Sequence, residues 1–211
     1  MRKFLLERVE LVRQLIDSQL PWHYADCALI LCSVMSACAA DRWPSQPKER
    51  IDRRRFTELL VGCSPPDAHA EWVSVPALIV KGLVEEKDTP YGLNGSRIFK
   101  DEEIDLPLAD AALKYPGVNV QALKNNCYAT LIYEWLRCGF AHQYWGNENT
   151  TPYVPSRDRA RISYIGRGEK GGGHRRIAGF HLEYLVELAE HHAGDVEDKP
   201  RQRPSKWWLD P

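Results

Sequence analysis

Residues 119–145 read NVQALKNNCYATLIYEWLRCGFAHQYW and form the longest stretch of the chain in which apolar side chains recur with helical periodicity. Leu123, Cys127 and Leu131 follow one another at intervals of four, and this pattern predicts a helix with one buried face. Asn119 is a residue type that favours the position just before a helix, so we expect the helix to begin there. This segment is predicted to be central to the fold.

Three further helical patterns precede this segment. We expect helices over residues 2–18, 22–40 and 48–61. The second pattern is apolar almost all round, which is typical of a helix buried at the centre of a bundle. It contains Asp26 and falls short of the roughly 20 residues that a membrane-spanning helix needs. The chain is therefore expected to fold without a membrane.

The periodicity changes after the central segment. Residues 161–165 and 175–178, joined by a glycine-rich connection, predict a small β-hairpin. A last helix is expected over residues 179–192. The predicted fold class is mainly α, an up-and-down helical bundle with a small β-hairpin near residues 161–178, before the last helix.

The chain is predicted to form a single helical domain over residues 1–193, because its length suits one domain. Residues 194–211 are charged and rich in proline. They predict a mobile tail, unless Trp207 and Trp208 dock on the body or on a partner.

Composition limits the biochemical class. With 28 basic and 29 acidic residues the formal net charge is -1, so RNA binding would require a local basic patch. The six cysteines include no C-x-x-C pair and lie mostly in or beside apolar helical segments. This usage is typical of reduced, core-packed cysteines in a cytoplasmic protein. We predict neither a metal site nor a cofactor.

Arg137 and His142 stand at the end of a helix that is otherwise built for burial. A histidine, whose reference pKa is about 6.5, exchanges protons near neutral pH. An arginine stays charged and presents a planar fork to phosphate oxygens. Cleavage of RNA by its own 2′-hydroxyl needs both a proton exchanger and a charge that stabilises the phosphorane. The same two residues would also suit a C-terminal helix cap, where the helix dipole favours positive charge.

The string RCGFAHQY at residues 137–144 resembles the R-x4-H motif of the HEPN superfamily (higher eukaryotes and prokaryotes nucleotide-binding). In its longer form it is similar to the R-x4-H-x-Y motif of HEPN toxins. The resemblance covers the motif helix, with looser architectural agreement over residues 1–193. It implies an α-helical bundle, usually a homodimer, in which the motifs of two subunits form a metal-independent RNA-cleaving site. Arg137 and His142 would then be the catalytic residues.

Tyr144 occupies the position of the motif tyrosine. In the toxins that the pattern resembles, a partner nucleotidyltransferase attaches adenylyl groups to this tyrosine, so the resemblance implies a modification or auxiliary role for Tyr144 and an antitoxin of that kind. Cys138 departs from the family pattern, in which asparagine or aspartate often follows the arginine. This departure supports a second hypothesis, a noncatalytic HEPN-like module that binds a nucleotide or a protein and dimerises.

The spacing of Arg137 and His142 requires a distorted helix or a second subunit. Residues five apart on an ideal α-helix are rotated by about 140° and separated by about 7.5 Å along the axis. Gly139 weakens a helix by about 1 kcal/mol relative to alanine, which favours a distortion there. A two-fold dimer would place each motif against its copy and supply a second histidine. We expect both.

A basic cluster follows the motif. Asp158 and Glu169 are the only acidic residues in the stretch 157–176, and phosphate contacts from basic residues strengthen RNA binding. The candidate RNA-binding residues are Arg157, Arg159, Arg161, Arg175 and Arg176. The resemblance to HEPN toxins implies an endoribonuclease of the kind found in toxin–antitoxin or antiviral defence systems, and the basic cluster would help to hold its RNA.

Overall fold

The computed structural model describes residues 1–18, 24–46, 48–85, 97–143, 148–152, 160–168, 174–196 and 201–211. Within these ranges the chain is mainly α-helical with a small antiparallel sheet, as predicted. The helices are α1 (Arg2–Asp17), α2 (Tyr24–Arg42), α3 (Asp52–Cys63), a 3-10 turn (Pro66–Ala68), α4 (Val75–Val80), α5 (Asp101–Ile104), α6 (Leu108–Lys114), α7 (Val120–Lys124), α8 (Tyr128–Leu131), a π-helical segment (Ile132–Cys138), α9 (Gly139–Gln143) and α10 (Leu182–Gly194). The strands are β1 (Phe99–Lys100), β2 (Ile162–Gly168) and β3 (His174–Phe180).

Helix α2 lies at the centre of the core. It packs against α1, α3, α10 and the π-helical segment. Its small residues Ala28 and Ala39 are fully buried, which lets neighbouring helices approach closely. Among the described helices, α2 alone is long and apolar enough to cross a membrane by length and composition. Its position between other helices accounts for that composition.

The predicted continuous helix over residues 119–145 is interrupted. Asn119 caps α7 as expected, because its side-chain oxygen accepts a hydrogen bond of 2.7 Å from an amide of the first turn. However, α7 ends at Lys124. Cys127 has extended dihedral angles and forms an isolated antiparallel β-bridge with Val73. The prediction of one unbroken helix was therefore wrong at residues 125–127.

The interruption arises because the backbone around Cys127 bonds to the segment that precedes α4. The N–H of Tyr128 donates to the Trp72 carbonyl at 2.9 Å, and the N–H of Ala129 donates to the Ala70 carbonyl at 3.0 Å. Apolar periodicity indicates which side chains face the core, but it does not indicate which carbonyl groups accept hydrogen bonds from the backbone amides.

From Tyr128 to Gln143 the chain runs through α8, the π-helical segment and α9. In a π-helix the hydrogen bonds reach five residues back instead of four. The sequence predicted a distortion at Gly139, but Gly139 itself has ordinary helical angles (φ -57°, ψ -55°), and the distortion lies instead in the π-helical segment. The irregular segment ends directly before it. Trp145, the predicted end of the helix, lies outside the described residues.

The predicted hairpin near residues 161–178 is present. Strands β2 and β3 pair antiparallel, with Ile162 opposite Phe180. Strand β1, which the sequence analysis did not predict, adds a third strand beside β2. The sheet precedes α10 in the chain.

A buried polar network joins the sheet to the motif helix. Asp105 accepts hydrogen bonds from the Val75 N–H at 3.0 Å, from the Tyr128 hydroxyl at 2.6 Å and from the Tyr164 hydroxyl at 2.5 Å. The Tyr164 oxygen also lies 2.8 Å from the Ser74 hydroxyl, which caps α4. Desolvation raises the pKa of Asp105 to about 8, in spite of the three donated hydrogen bonds. The network fixes α8 against β2 and the start of α4.

The described part of the tail, residues 201–211, lies against the body. Trp207 is 9% exposed, and its ring meets Trp43 edge-on with the centroids 5.6 Å apart. The Trp208 carbonyl accepts a hydrogen bond from the Lys124 ammonium, and the Trp208 N–H donates to a carboxylate of α3. Both tryptophans therefore dock on the body. The sequence analysis predicted a mobile tail only if they did not.

Candidate functional site

Arg137 lies in the π-helical segment and faces α2 and α3. Its guanidinium carbon is 5.3 Å from the centre of the Tyr133 ring, a distance typical of a cation–π contact. No acidic side chain forms an ion pair with Arg137 in the part of the chain that the structure describes. The half-buried guanidinium thus keeps an uncompensated positive charge.

A cavity of about 70 Å³ lies beside Arg137, between α2, α3 and the π-helical segment. Two apolar side chains form part of its wall, and its polar lining comes from Ser36, Asp52, Arg55, Tyr133 and Arg137. Asp52 and Arg55 form an ion pair of 2.5 Å with each other. Arg137 is the remaining charged side chain of the lining.

The charge of Arg137 affects the pKa values of two neighbouring side chains, Cys32 and Tyr133. Burial raises the pKa of the Cys32 thiol to about 12, whereas the nearby Arg137 acts in the opposite direction. Burial also raises the pKa of the Tyr133 hydroxyl, with Cys138 contributing and Arg137 opposing. Both side chains therefore remain neutral near pH 7 beside the guanidinium.

His142 is exposed on α9. The helix that carries it is anchored by Phe140, which is buried and contacts the Tyr24 ring at 6.0 Å between centroids. No hydrogen bond joins His142 to Arg137, although the structure describes both residues. One subunit thus presents the arginine toward a cavity and the histidine toward solvent.

Three of the predicted site residues, Tyr144, Arg157 and Arg159, lie outside the described residues.

Arg161 is held by acidic groups at the end of the hairpin. Its side chain donates to Asp101 at 3.2 Å and to Glu102 at 3.3 Å, and it also donates to the Asp67 carbonyl at 2.6 Å. The backbone N–H of Arg161 donates to Asp101 as well. These contacts neutralise the charge that the sequence assigned to RNA binding.

The two hairpin arginines are also engaged. Arg175 donates to the Asn149 side chain at 3.1 Å and to the Glu148 carbonyl at 3.3 Å. Arg176 is 2% exposed, donates to the Arg97 carbonyl at 2.5 Å and lies over the Phe99 ring. Burial removes Arg176 from any surface that RNA could touch, which corrects its interpretation as an RNA-binding residue.

The sequence did not single out Ser36, Arg55 and Tyr133, which line the cavity beside Arg137. The contact of Tyr133 with Arg137 could have been predicted, because Tyr133 precedes Arg137 by four residues and such pairs are neighbours on a helix. Ser36 and Arg55 could not have been found in this way, because they lie on α2 and α3, far from Arg137 in the sequence.

Among the residues that the structure describes, no group of three or more histidine, cysteine, aspartate or glutamate side chains could hold a metal ion. All six cysteines are free.

Comparison of the chain with protein-family models, curated proteins and solved structures found no match.

Proposed function

We propose that this protein is a metal-independent endoribonuclease of the HEPN type, a cytoplasmic homodimer that acts on single-stranded RNA. The proposal rests on the resemblance of residues 137–144 to the R-x4-H-x-Y motif. The observation that carries it is the uncompensated charge of Arg137, which lies on the same helix as the exposed imidazole of His142. A toxin or antiviral role, with an antitoxin or nucleotidyltransferase partner that modifies Tyr144, belongs to the same proposal.

In the proposed reaction the 2′-hydroxyl of one nucleotide attacks the adjacent phosphorus. His142 of one subunit accepts the proton of that hydroxyl, and the Arg137 guanidinium stabilises the negative charge that builds on the phosphorane. The second histidine of the dimer donates a proton to the departing 5′-oxygen. The products are a 2′,3′-cyclic phosphate and a 5′-hydroxyl end.

We expect the wild-type protein to cleave single-stranded RNA in the presence of EDTA, since every step uses side chains of the chain itself. The products should be identified by mass spectrometry of a short oligonucleotide, which distinguishes a cyclic phosphate from a 5′-phosphate end. Loss of cleavage in EDTA, restored by a divalent cation, would instead indicate a metal-dependent enzyme.

We also expect a homodimer, because each subunit supplies one motif histidine, His142, while the reaction needs both a base and an acid. Sedimentation velocity at micromolar concentration should give a mass of about twice the 24.2 kDa of the chain. A monomer at all concentrations that support cleavage would contradict this model.

A noncatalytic HEPN-like module that binds a nucleotide or a protein is the second candidate. It is favoured by Cys138 beside the arginine, and by the internal engagement of Arg161, Arg175 and Arg176, which leaves those three side chains with protein partners. Binding of RNA or nucleotides without any cleavage by the wild-type dimer would select this candidate.

A further inference from the structure

Helix α2 has one side that its neighbours leave partly uncovered. Around α2, α1 contacts α10, α10 contacts α3, and α3 contacts the π-helical segment, so the remaining side lies between α1 and the π-helical segment. Ser33 is exposed on this side, and Leu29 and Ala37 are half-buried. No charged residue occurs in α2 between Asp26 and Asp41, although the solvent side of a helix is normally polar or charged. Only 50% of the most apolar window of α2 is buried within the subunit, so this side is suited to a further cover.

Helix α1 carries an apolar stripe beside this uncovered side of α2. Phe4 is 56% exposed and Leu11 is 36% exposed. They are seven residues apart, so their directions on the helix differ by only about 20°. Arg13, which is bonded to Glu190 of α10, follows Leu11 by two residues and therefore points about 160° away from it. The stripe thus faces away from α10 and toward the uncovered side of α2.

Two opposite charges flank the stripe. Glu7 and Arg8 are exposed, and neither forms an ion pair with another residue in the described part of the chain. On an α-helix they lie about 50° to opposite sides of the stripe. The Arg8 guanidinium carbon is 5.0 Å from the centre of the Phe4 ring, a cation–π contact that holds it at the edge of the stripe. The outer face of α1 therefore has an apolar centre, one negative edge and one positive edge.

Such a face is complementary to a second copy of itself. A two-fold axis parallel to α1 sets Phe4 against Phe4 of the copy and Leu11 against Leu11 of the copy. The same axis brings the negative edge of each α1 beside the positive edge of the other, so that Glu7 meets Arg8 of the copy twice. An antiparallel pair of helices would instead bring each edge beside the same edge of the copy, which places like charges together. The charges therefore favour parallel α1 helices.

We propose that the homodimer forms through the apolar stripe of α1 and the uncovered side of α2, with the two α1 helices parallel and joined by reciprocal Glu7–Arg8 ion pairs. The α1 helix of the copy then lies beside α1 and covers α2. This interface rests on the proposed function, because it names the surface of the homodimer that the reaction needs. The uncovered side of α2 borders the π-helical segment, so the copy is seated next to the helix that carries Arg137.

Charge reversal tests the interface, with the dimer dissociation constant measured by sedimentation velocity over a range of concentrations. Glu7→Arg and Arg8→Glu each place like charges together twice across the axis, so each should weaken dimerisation by at least about tenfold. An equimolar mixture of the two variants should dimerise again, because every contact across the axis of the mixed dimer joins opposite charges. Glu187→Arg, which reverses an exposed glutamate of α10, is the matched control and should dimerise like the wild type.

The apolar stripe is tested separately. Phe4→Ala should weaken dimerisation by about tenfold or more, because the ring would no longer be buried against the copy. Leu113→Ala removes a side chain that is 81% exposed on α6, and it should leave the dissociation constant unchanged. Circular dichroism should show the wild-type helical content for each variant, since all the replaced side chains are exposed.

The outcomes separate this interface from the ribonuclease proposal. Charge reversals that leave the dimer intact, a mixture that stays monomeric, or a wild type that is monomeric at every concentration would overturn the interface. Dimerisation that depends on Glu7 and Arg8, without RNA cleavage, would retain the interface and reject the enzyme. Conversely, RNA cleavage by a dimer that is insensitive to both reversals would retain the enzyme and reject the interface.

Discussion

Replacement of His142 by alanine is expected to reduce RNA cleavage by at least about a hundredfold, the lower end of what a general acid–base group contributes. Arg137→Ala should reduce the rate by about a hundredfold to a thousandfold, because the charge on the phosphorane would lose its stabilising cation. His142 is exposed, so its removal should leave the melting temperature almost unchanged. Single-turnover cleavage of a fluorescent oligonucleotide measures the chemical step directly.

Two control variants separate a loss of chemistry from a loss of charge. His191→Ala removes another exposed histidine near a helix end, and Arg2→Ala removes an exposed arginine from α1. Both should cleave RNA at the wild-type rate. If His142→Ala retained full activity while folded and dimeric, His142 would not be the proton-transfer group.

Replacement of Asp105 by alanine is expected to destabilise the fold by about 3–5 kcal/mol. The Val75 N–H and the hydroxyls of Tyr128 and Tyr164 would lose their shared acceptor, and each buried donor without a partner costs about 1–3 kcal/mol. Asp105→Asn preserves the shape and one acceptor oxygen, so it should be much milder. Urea unfolding with one fitted m-value measures both effects.

The same residue predicts how stability depends on pH. Desolvation raises the pKa of folded Asp105 to about 8, whereas an unfolded aspartate titrates near pH 4. The folded state therefore binds a proton more tightly, and this contribution is fully present below about pH 4 and is lost as pH rises to about 8. Asp105→Asn should remove this part of the pH dependence. If the free energy of unfolding of Asp105→Asn differed between pH 5 and pH 8.5 by as much as that of the wild type, the assignment to Asp105 would be refuted.

The elements that depend on local chemistry were predictable from the sequence. Ser74 and Asn119 cap α4 and α7 as their residue types indicate, because a cap requires only neighbouring amides. The hairpin was predicted from two short stretches joined by a glycine-rich connection. The break at Cys127 was not predictable in this way, since it depends on carbonyls of the distant residues Ala70 and Trp72.

In the candidate site, too, the features set by local sequence were predictable and those set by distant residues were not. Arg137 and His142 were identified by residue type and spacing, but the neighbours of Arg137 come from α2 and α3, far away in sequence. Arg176 was assigned to RNA binding because it belongs to the basic cluster at residues 157–176. Its burial beside the Phe99 ring depends on β1, a strand of two residues whose sequence carries too little signal to predict.

The π-helical segment shows that the number of residues between an arginine and a histidine is not a measure of their geometry. In a regular α-helix each residue turns the side-chain direction by about 100°. A π-helical turn contains more residues, so each residue turns the direction by less. Two chains with the same R-x4-H string can therefore aim the arginine at different neighbours, depending on whether the wide turn ends before or after it. Here the wide turn includes Arg137 and ends at Cys138, so the direction of the guanidinium is set by the helical register upstream of the motif.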